Sequence, residues 1–511
     1  MVRNNIIANF VGRVWPSLLG LALVPVYLHY LGIEAYGLVG FFVSLQALIG
    51  FLDLGLSTTT NREVAYGLSS AGQKEKTRDL MRTLEVVYGL VALLIAAGFI
   101  LSSDWLAREW INEQELSVET VRLAAMIFGI TLALRWPVAL YNGILLGSEK
   151  QVLYNILSVV VTTLRSVGAA VVVVFVSHTI VAYLVWQLIS ALLELGVMAL
   201  AGWRVIRVDS DHAPRIKISL LKPIWRFSAS VGLNSLFAAI TKQMDRVLIS
   251  KLLLLSQMGY YTTANAAYSA VSMVTSPFAS VAFPRFTALI ASNEHDELVA
   301  TYHKMCQCVS FIVMPITSIL LFFSFDILLL WTGSEDIAVH SAQTLSILAI
   351  AAIFNSMMQI PFMLQLAAGI TWISLWNNAI NLVVLAPLMY FLIKHYGVAG
   401  AGIAWLIFNV SYYLIVPHIM HRYVLPSEKK VWYFTDTLLF IVLSLATFGI
   451  TYLVQSFVQG LLFLFINITV GCLIYLVLSM VFSPTIRWAV LDLAKKAPFL
   501  KRFLQKQVSV G

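Results

Sequence analysis

Ten charged side chains lie inside long apolar runs of the chain: Arg13, Asp53, Arg135, Arg165, Glu194, Arg226, Lys242, Asp245, Arg246 and Asp326. A charge in such a run is costly, so these residues are the first candidates for function. Arg135 and Arg165 sit near the centres of their runs and must each face a wet cavity or a carboxylate. A guanidinium forks onto phosphate oxygens through parallel N–H donors, so the chemistry open to this pair is to hold a phosphate or pyrophosphate. The alternative is a buried ion pair with Glu194 or Asp53. Arg226 lies one turn inside its run, where it can reach a substrate or snorkel to the interface.

The other candidates admit two readings each. Asp245 is three residues from Lys242 and adjacent to Arg246, a spacing that suits a structural ion pair or a gate. Asp53 follows Gln46 by seven residues on the same helical face, as a proton switch or the partner of an arginine. Asn234, the i,i+4 pair Asn377 and Asn381, and the similar pair Asn355 and Gln359 suit a sugar-binding lumen or hydrogen bonds between helices. The segments Arg13-Val14-Trp15-Pro16 and Arg135-Trp136-Pro137 each set an arginine beside an indole and a kink-forming proline, and the indole can stack on a sugar or simply pack. Glu34 and Asp326 are expected near the surface, solvated. No Walker A, HExxH, CxxC or GxSxG pattern occurs. Cys306, Cys308 and Cys472 have no disulfide or metal spacing. No cofactor or metal is expected.

The elements that position these residues follow from composition. Of 511 residues, 60% are hydrophobic and 11% charged, against roughly a quarter charged in soluble chains. Apolar runs long enough to cross a bilayer recur throughout, and their continuity argues against a β-barrel. The expected fold is an all-α polytopic membrane protein with fourteen spans, at about 5–30, 35–57, 83–103, 123–147, 152–176, 180–202, 224–250, 257–283, 305–330, 342–367, 372–394, 398–420, 433–455 and 461–482. The first run is read as a retained span. With both termini in the cytoplasm, twenty-three Lys and Arg residues fall in inner segments and four in outer loops, which sets the orientation. That bias also accounts for the net charge of +8 without nucleic acid. The outer loop 102–122 is acidic. The tail after Pro484 is a basic amphipathic stretch suited to the inner membrane surface.

A repeat organises the spans. Shifting the first six by 222 residues places them on spans seven to twelve, and Leu31–Gly37 falls on Leu253–Gly259. An even number of spans per repeat keeps both halves in one orientation, related by an axis along the membrane normal, which is transporter architecture. The expected domains are an N-terminal lobe 1–202, a cytoplasmic linker 203–223, a C-terminal lobe 224–420, spans thirteen and fourteen at 421–482, and the tail 483–511.

Several motifs carry a resemblance. They are Asn9-Phe10-Val11-Gly12 with Tyr30 through Gly37, Asp53-Leu54-Gly55-Leu56 followed by Arg62, Asp245-Arg246 followed by Gly259-Tyr260-Tyr261, and Tyr396 through Trp405. Their order over spans one to twelve resembles bacterial polysaccharide flippases of the MOP exporter superfamily, related to the lipid II flippase and the MATE exporters. The resemblance implies a V-shaped two-lobed bundle working by alternating access. It implies translocation of polyprenyl-pyrophosphate-linked oligosaccharides across the bacterial inner membrane, for O-antigen, capsule or exopolysaccharide. The two extra C-terminal spans resemble those of the lipid II flippase. Arg13, Arg135 and Arg165 are expected to hold the pyrophosphate, with H+ or Na+ as a coupling ion and polysaccharide polymerase machinery as a partner. The alternatives are an ion-coupled multidrug antiporter on the same fold and a membrane glycosyltransferase or polymerase.

Overall fold

The computed structural model describes residues 2–53, 55–69, 73–207, 213–221, 239–458 and 460–496, without the side chains of residues 2–14, 51–52, 375 and 493–496. Arg226 and Asn234 lie outside the described residues, as do the side chain of Arg13 and the tail beyond Lys496. The described chain is helical and contains no strand. Its first half comprises α1 (Val2–Leu31), α2 (Ile33–Ile49), α3 (Leu56–Ser69), α4 (Lys74–Trp105), α5 (Val118–Arg135), α6 (Val138–Gly147), α7 (Gln151–Phe175) and α8 (Ile180–Val205). After α9 (239–252) come α10 (Leu255–Ala291), α11 (His295–Phe322), α12 (Ser324–Thr332), α13 (Glu335–Met357), α14 (Gln359–Ala367), α15 (Trp372–Tyr396) and α16 (Val398–Tyr423). The chain continues through α17 (Lys429–Phe457), α18 (Leu461–Phe482) and α19 (Pro484–Lys496).

Among the described residues, eleven helical segments are long and apolar enough to cross a membrane, and Trp15–Leu31 and Ile33–Ile49 are shorter apolar helices. Hydrocarbon offers the backbone no hydrogen bonds, so a crossing segment must satisfy them within its own helix. Their outer faces stay apolar: Leu94 is 72% and Leu101 84% exposed, which water would oppose and lipid accepts. The protein is a multi-pass membrane protein.

Four expected spans are interrupted. The span at 35–57 becomes α2, a short 3-10 turn Gly50–Asp53 and α3. The span at 305–330 becomes α11 and α12, and those at 123–147 and 342–367 divide at Trp136 and Met358. A helix-interior proline lacks an N–H and crowds the carbonyl four residues back. Pro137 accordingly follows the end of α5, and the turn closes with Leu140 N–H donating to the Pro137 carbonyl at 3.1 Å. Pro361 stands four residues after Met357, where α13 ends. Both the helix ends (Arg135, Met357) and the breaks (Trp136, Met358) are 222 residues apart, so the repeat extends to its kinks.

The chain divides into two compact units, one of residues 1–263, 331–333 and 378–401, the other of residues 264–330, 334–377 and 402–511. Within the first unit, α2 meets the start of α10 through residues that the repeat relates to one another. A Cβ on Gly37 would strike the Leu255 carbonyl and the Gly259 amide, and one on Gly259 would strike the Ile33 carbonyl. Gly40 lies against Thr262. Each of these residues therefore faces its own counterpart 222 positions away, the reciprocal pattern of a two-fold contact. Only residues this small let helix backbones approach so closely.

The loop after α4 fastens the same region. Asn112 Nδ2 donates to the Lys251 and Leu253 carbonyls at 3.2 and 3.3 Å. Lys251 donates to the Glu109 carbonyl and sits 5.6 Å from the centre of the Trp110 ring. Glu34 is not solvated as expected. It is 1% exposed, and its carboxylate accepts from the backbone N–H groups of Gln114, Glu115 and Leu116 at 2.5, 2.6 and 2.9 Å. The loop folds back over α2 and supplies these amides in place of water.

Gly37→Ala and Gly259→Ala should each lower stability by about 1–3 kcal/mol through overpacking. Gly20→Ala, where a Cβ meets nothing within 4 Å, should be neutral or stabilising by up to about 1 kcal/mol. Thermal melts of the three purified variants check this; equal melting temperatures would contradict the close contact.

Candidate functional site

Three helices of the first unit bring the sequence-selected charges together. Arg135 is the last residue of α5, immediately before the proline break. Arg165 lies mid-way along α7. Glu194 and Gln187 are seven residues apart on α8, hence on one face. Glu194 Oε2 stands 3.7 Å from both Arg135 Nε and Arg165 Nη1. Arg135 Nη2 donates to Gln187 Oε1 at 2.8 Å. The three charged side chains are 15%, 27% and 16% exposed for Arg135, Arg165 and Glu194.

Two guanidiniums thus share one carboxylate, leaving a surplus positive charge in a mostly buried place. The pairing is loose: at 3.7 Å neither contact is a hydrogen bond. Arg135 Nε and Glu194 Oε2 are both buried without a hydrogen-bond partner. Beside them lies an open cavity of about 350 Å³, lined by Gln46, Thr131, Arg135, Tyr183 and Gln187, with Phe42 and Phe128 among its apolar wall. An unfilled guanidinium N–H, neutral amides and a phenol around a surplus positive charge form an anion-binding arrangement with room for polar ligand groups.

The scaffold holds the α7 arginine from several sides. Trp186 Nε1 donates to the Arg165 carbonyl at 3.2 Å, and Gly168 leaves room for the Trp186 indole. Tyr27 O–H donates to the Ser166 carbonyl at 2.8 Å, and its ring meets Tyr183 edge-on at 5.3 Å. Trp15 Nε1 donates to Thr163 Oγ1 at 2.8 Å, so α1 is pinned along α7. Trp136 is buried against Tyr88, with ring centres 6.2 Å apart; it packs the kink and presents no sugar-stacking face.

The remaining candidates lie elsewhere. Asp53 accepts from Tyr88 O–H at 2.6 Å and Ser57 O–H at 2.7 Å, so its partners here are hydroxyls at the start of α3. Asp245 is buried and accepts from Tyr261 O–H and the Arg246 N–H. Arg246 Nη1 donates to Gln243 Oε1 at 3.2 Å, and Lys242 is exposed. On α15, Asn377 is half-buried and Asn381 Nδ2 is buried without a hydrogen-bond partner. Asn355 donates to Asn409 at 2.9 Å, an interhelical bond. Sequence reasoning passed over Gln187 and Tyr183. The available signal was the seven-residue step from Gln187 to Glu194.

The sequence model of the family described as "polysaccharide biosynthesis protein" matches residues 29–336. The chain belongs to that family. Among curated proteins, this family member is 22% identical over 401 residues to a putative O-antigen transporter of Shigella flexneri, covering 78% of this chain and 93% of that one. Its fold resembles the lipid II flippase MurJ in an inward closed conformation, with a TM-score of 0.70 at 16% identity over 94% of this chain and 98% of the other. It also resembles an inward-facing multidrug resistance MATE transporter of the MOP superfamily, with a TM-score of 0.69 at 18% identity over 83% and 99% of the two chains. These relatives are transporters and flippases, not catalysts. The family member therefore has the MOP transporter fold, and its likeness to the flippase covers more of it than the likeness to the MATE protein.

Removing Glu194 should leave two guanidiniums facing each other. Glu194→Gln is expected to cost about 1–3 kcal/mol, less than a fully buried pair because all three groups keep some solvent. The double variant Arg165→Gln with Glu194→Gln should recover most of that loss. Melts of the single and double variants measure the coupling; simple additivity would contradict a shared carboxylate.

Proposed function

We propose that this family member is a flippase that carries polyprenyl-pyrophosphate-linked oligosaccharides from the cytoplasmic to the periplasmic leaflet of the bacterial inner membrane, for surface polysaccharide synthesis. The observation that carries the reading is the arginine pair with its single shared carboxylate beside a polar cavity. A pyrophosphate carries several negative charges and matches a site with surplus positive charge, whereas a cationic drug would be repelled by it. The family description and the O-antigen transporter relative support the same substrate class.

In this reading the pyrophosphate enters from the basic inner side and takes the Arg135 and Arg165 donors that Glu194 occupies only loosely. Arg13, on α1, is placed to join them. Gln46 and Gln187 bond the first sugar hydroxyls, and the prenyl chain stays in lipid. Asn377 and Asn381 on α15, with Asn234 and Arg226, belong to the path of the glycan, and the group Lys242, Asp245 and Arg246 to a gate. Rocking of lobes 1–202 and 224–420 about the linker 203–223 then exposes the site outward, with H+ or Na+ as the coupling ion. Both termini are cytoplasmic, and the exported unit passes to polysaccharide polymerase machinery.

The test is a proteoliposome assay in which a short polyprenyl-pyrophosphate oligosaccharide, loaded in one leaflet, becomes accessible to an external glycosidase. Wild type should expose the lipid. Arg135→Ala and Arg165→Ala should each slow it by about 10–100-fold, the worth of one hydrogen bond to a charged group. No exposure by wild type with or without an ion gradient would sink the reading, and export of a cationic dye by the same vesicles would favour drug antiport.

A further inference from the structure

The second unit buries an ionisable cluster that the arginine site does not use. His303 lies in the third turn of α11, and each of its ring nitrogens faces a carboxylate. Nδ1 is 2.5 Å from Asp436 Oδ2, and Nε2 is 3.1 Å from Glu428 Oε2. Asp436 is fully buried, whereas Glu428 precedes α17 and is 21% exposed. A neutral imidazole has one N–H donor and one lone pair. Between two ionised carboxylates, that lone pair would face an acceptor oxygen. Both contacts are attractive only when the ring carries a hydrogen on each nitrogen.

The surroundings are built around this arrangement. Asp436 lies in a wide turn of α17, Trp432–Leu438, with π-helical bonding. Such turns are rare within α-helices and recur at functional sites. Ser310 O–H donates to the Asp436 carbonyl at 2.6 Å, and Gln307 Nε2 donates to Asp436 Oδ1 at 2.8 Å. Ser483 O–H donates to Gln307 Oε1 at 2.9 Å, while its oxygen accepts from the Ile486 N–H at 3.2 Å and caps α19. Ser427 O–H donates to Glu428 Oε1 at 2.8 Å. One chain of polar contacts thus joins α11, α17 and the start of α19.

Other ionisable groups do not replace the ring's charge. His421 on α16 has Nδ1 2.9 Å from the Pro417 carbonyl and Nε2 3.3 Å from the Tyr302 hydroxyl. Tyr302 and Cys306 flank the site on α11, and Lys429 follows Glu428. The α14 and α18 segments contain no Asp, Glu, Lys, Arg or His. Those of α13 lie within its first six residues, Glu335, Asp336 and His340. On α19, Arg487 donates to the Met480 and Val481 carbonyls and Asp492 is exposed.

We propose that His303, Asp436 and Glu428 form a proton-binding site whose proton, held on the His303 ring, fastens α17 and the start of α19 to α11. The proton is taken from and returned to water, and the charge of the trio moves between −1 and −2. On release, a ring lone pair faces a carboxylate and the wide turn of α17 loses its anchor. The site would thereby tie the hold on the helices beyond the twelve-span repeat to proton supply. This inference stands on the local geometry and does not depend on the identity of the transported substrate.

The test uses the full chain with 15N-labelled histidine in lipid nanodiscs, His303 being assigned by the signals lost in His303→Gln. At pH 7.5 both ring nitrogens of His303 should bear hydrogen in wild type, and the ring should be neutral in Asp436→Asn. Amide exchange of residues 432–438, corrected for the pH dependence of the chemistry, should rise about tenfold or more from pH 7 to pH 10 in wild type. In Asp436→Asn it should not change with pH. A purely structural contact would not move either readout. A neutral His303 ring at pH 7.5, or exchange in wild type that ignores pH, overturns the proposal. If a variant fails to fold, the wild-type spectrum alone decides: no doubly protonated ring among the nine histidines at pH 7.5 overturns it.

Discussion

One carboxylate between two guanidiniums is the constraint on which the account of the first unit depends. In a medium of low dielectric, like charges cannot stand close without a counter-ion, and Glu194 supplies only half of what Arg135 and Arg165 require. Its oxygen is 3.7 Å from each guanidinium, a distance that compensates charge without forming hydrogen bonds. A closer pairing with either arginine would leave the other uncompensated. The compromise keeps N–H donors available beside a cavity, which suits a ligand that must bind, move and leave. A site in which every donor was filled would hold its own side chains more tightly and an incoming anion less well.

The rest of the first unit can be understood as the means of holding that compromise in place. The proline break after Arg135 ends α5 at the cavity, and the buried Trp136 packs the turn against Tyr88. Tyr27, Trp15 and Trp186 tie α7 to its neighbours through hydrogen bonds to Ser166, Thr163 and Arg165. Farther along, the contact of Gly37 with Gly259 brings repeat-related backbones together, and Glu34 gathers three amides of the loop after α4. Polar contacts of this kind have few competing partners in hydrocarbon, so a small number can specify helix positions.

Much of this was legible in the sequence for a physical reason. Charges are rare in apolar runs, so Arg135, Arg165 and Glu194 stood out before any fold was known, and the structure brings those three together. The repeat was legible because its kinks and glycines obey the same spacing. Gln187 was hidden because an uncharged amide in a span is ordinary and gains meaning only from its neighbour. Glu34 misled because a carboxylate at a helix start normally meets water, and nothing local announces a loop that returns eighty residues later. His303 and Asp436 are separated by 133 residues, beyond what helical spacing can join. The role of Trp136 was undecided in sequence because stacking on a sugar and packing in a kink ask for the same indole.

The central claim is that the arginine pair binds the pyrophosphate in exchange for Glu194. Titration calorimetry with a short prenyl pyrophosphate, set against the matching prenyl alcohol, tests it most directly. The account predicts binding of the pyrophosphate alone, weakened in Arg135→Ala and Arg165→Ala and tightened in Glu194→Gln, where the competing carboxylate is gone. Equal affinity in all four proteins, or tighter binding of the alcohol, would contradict it.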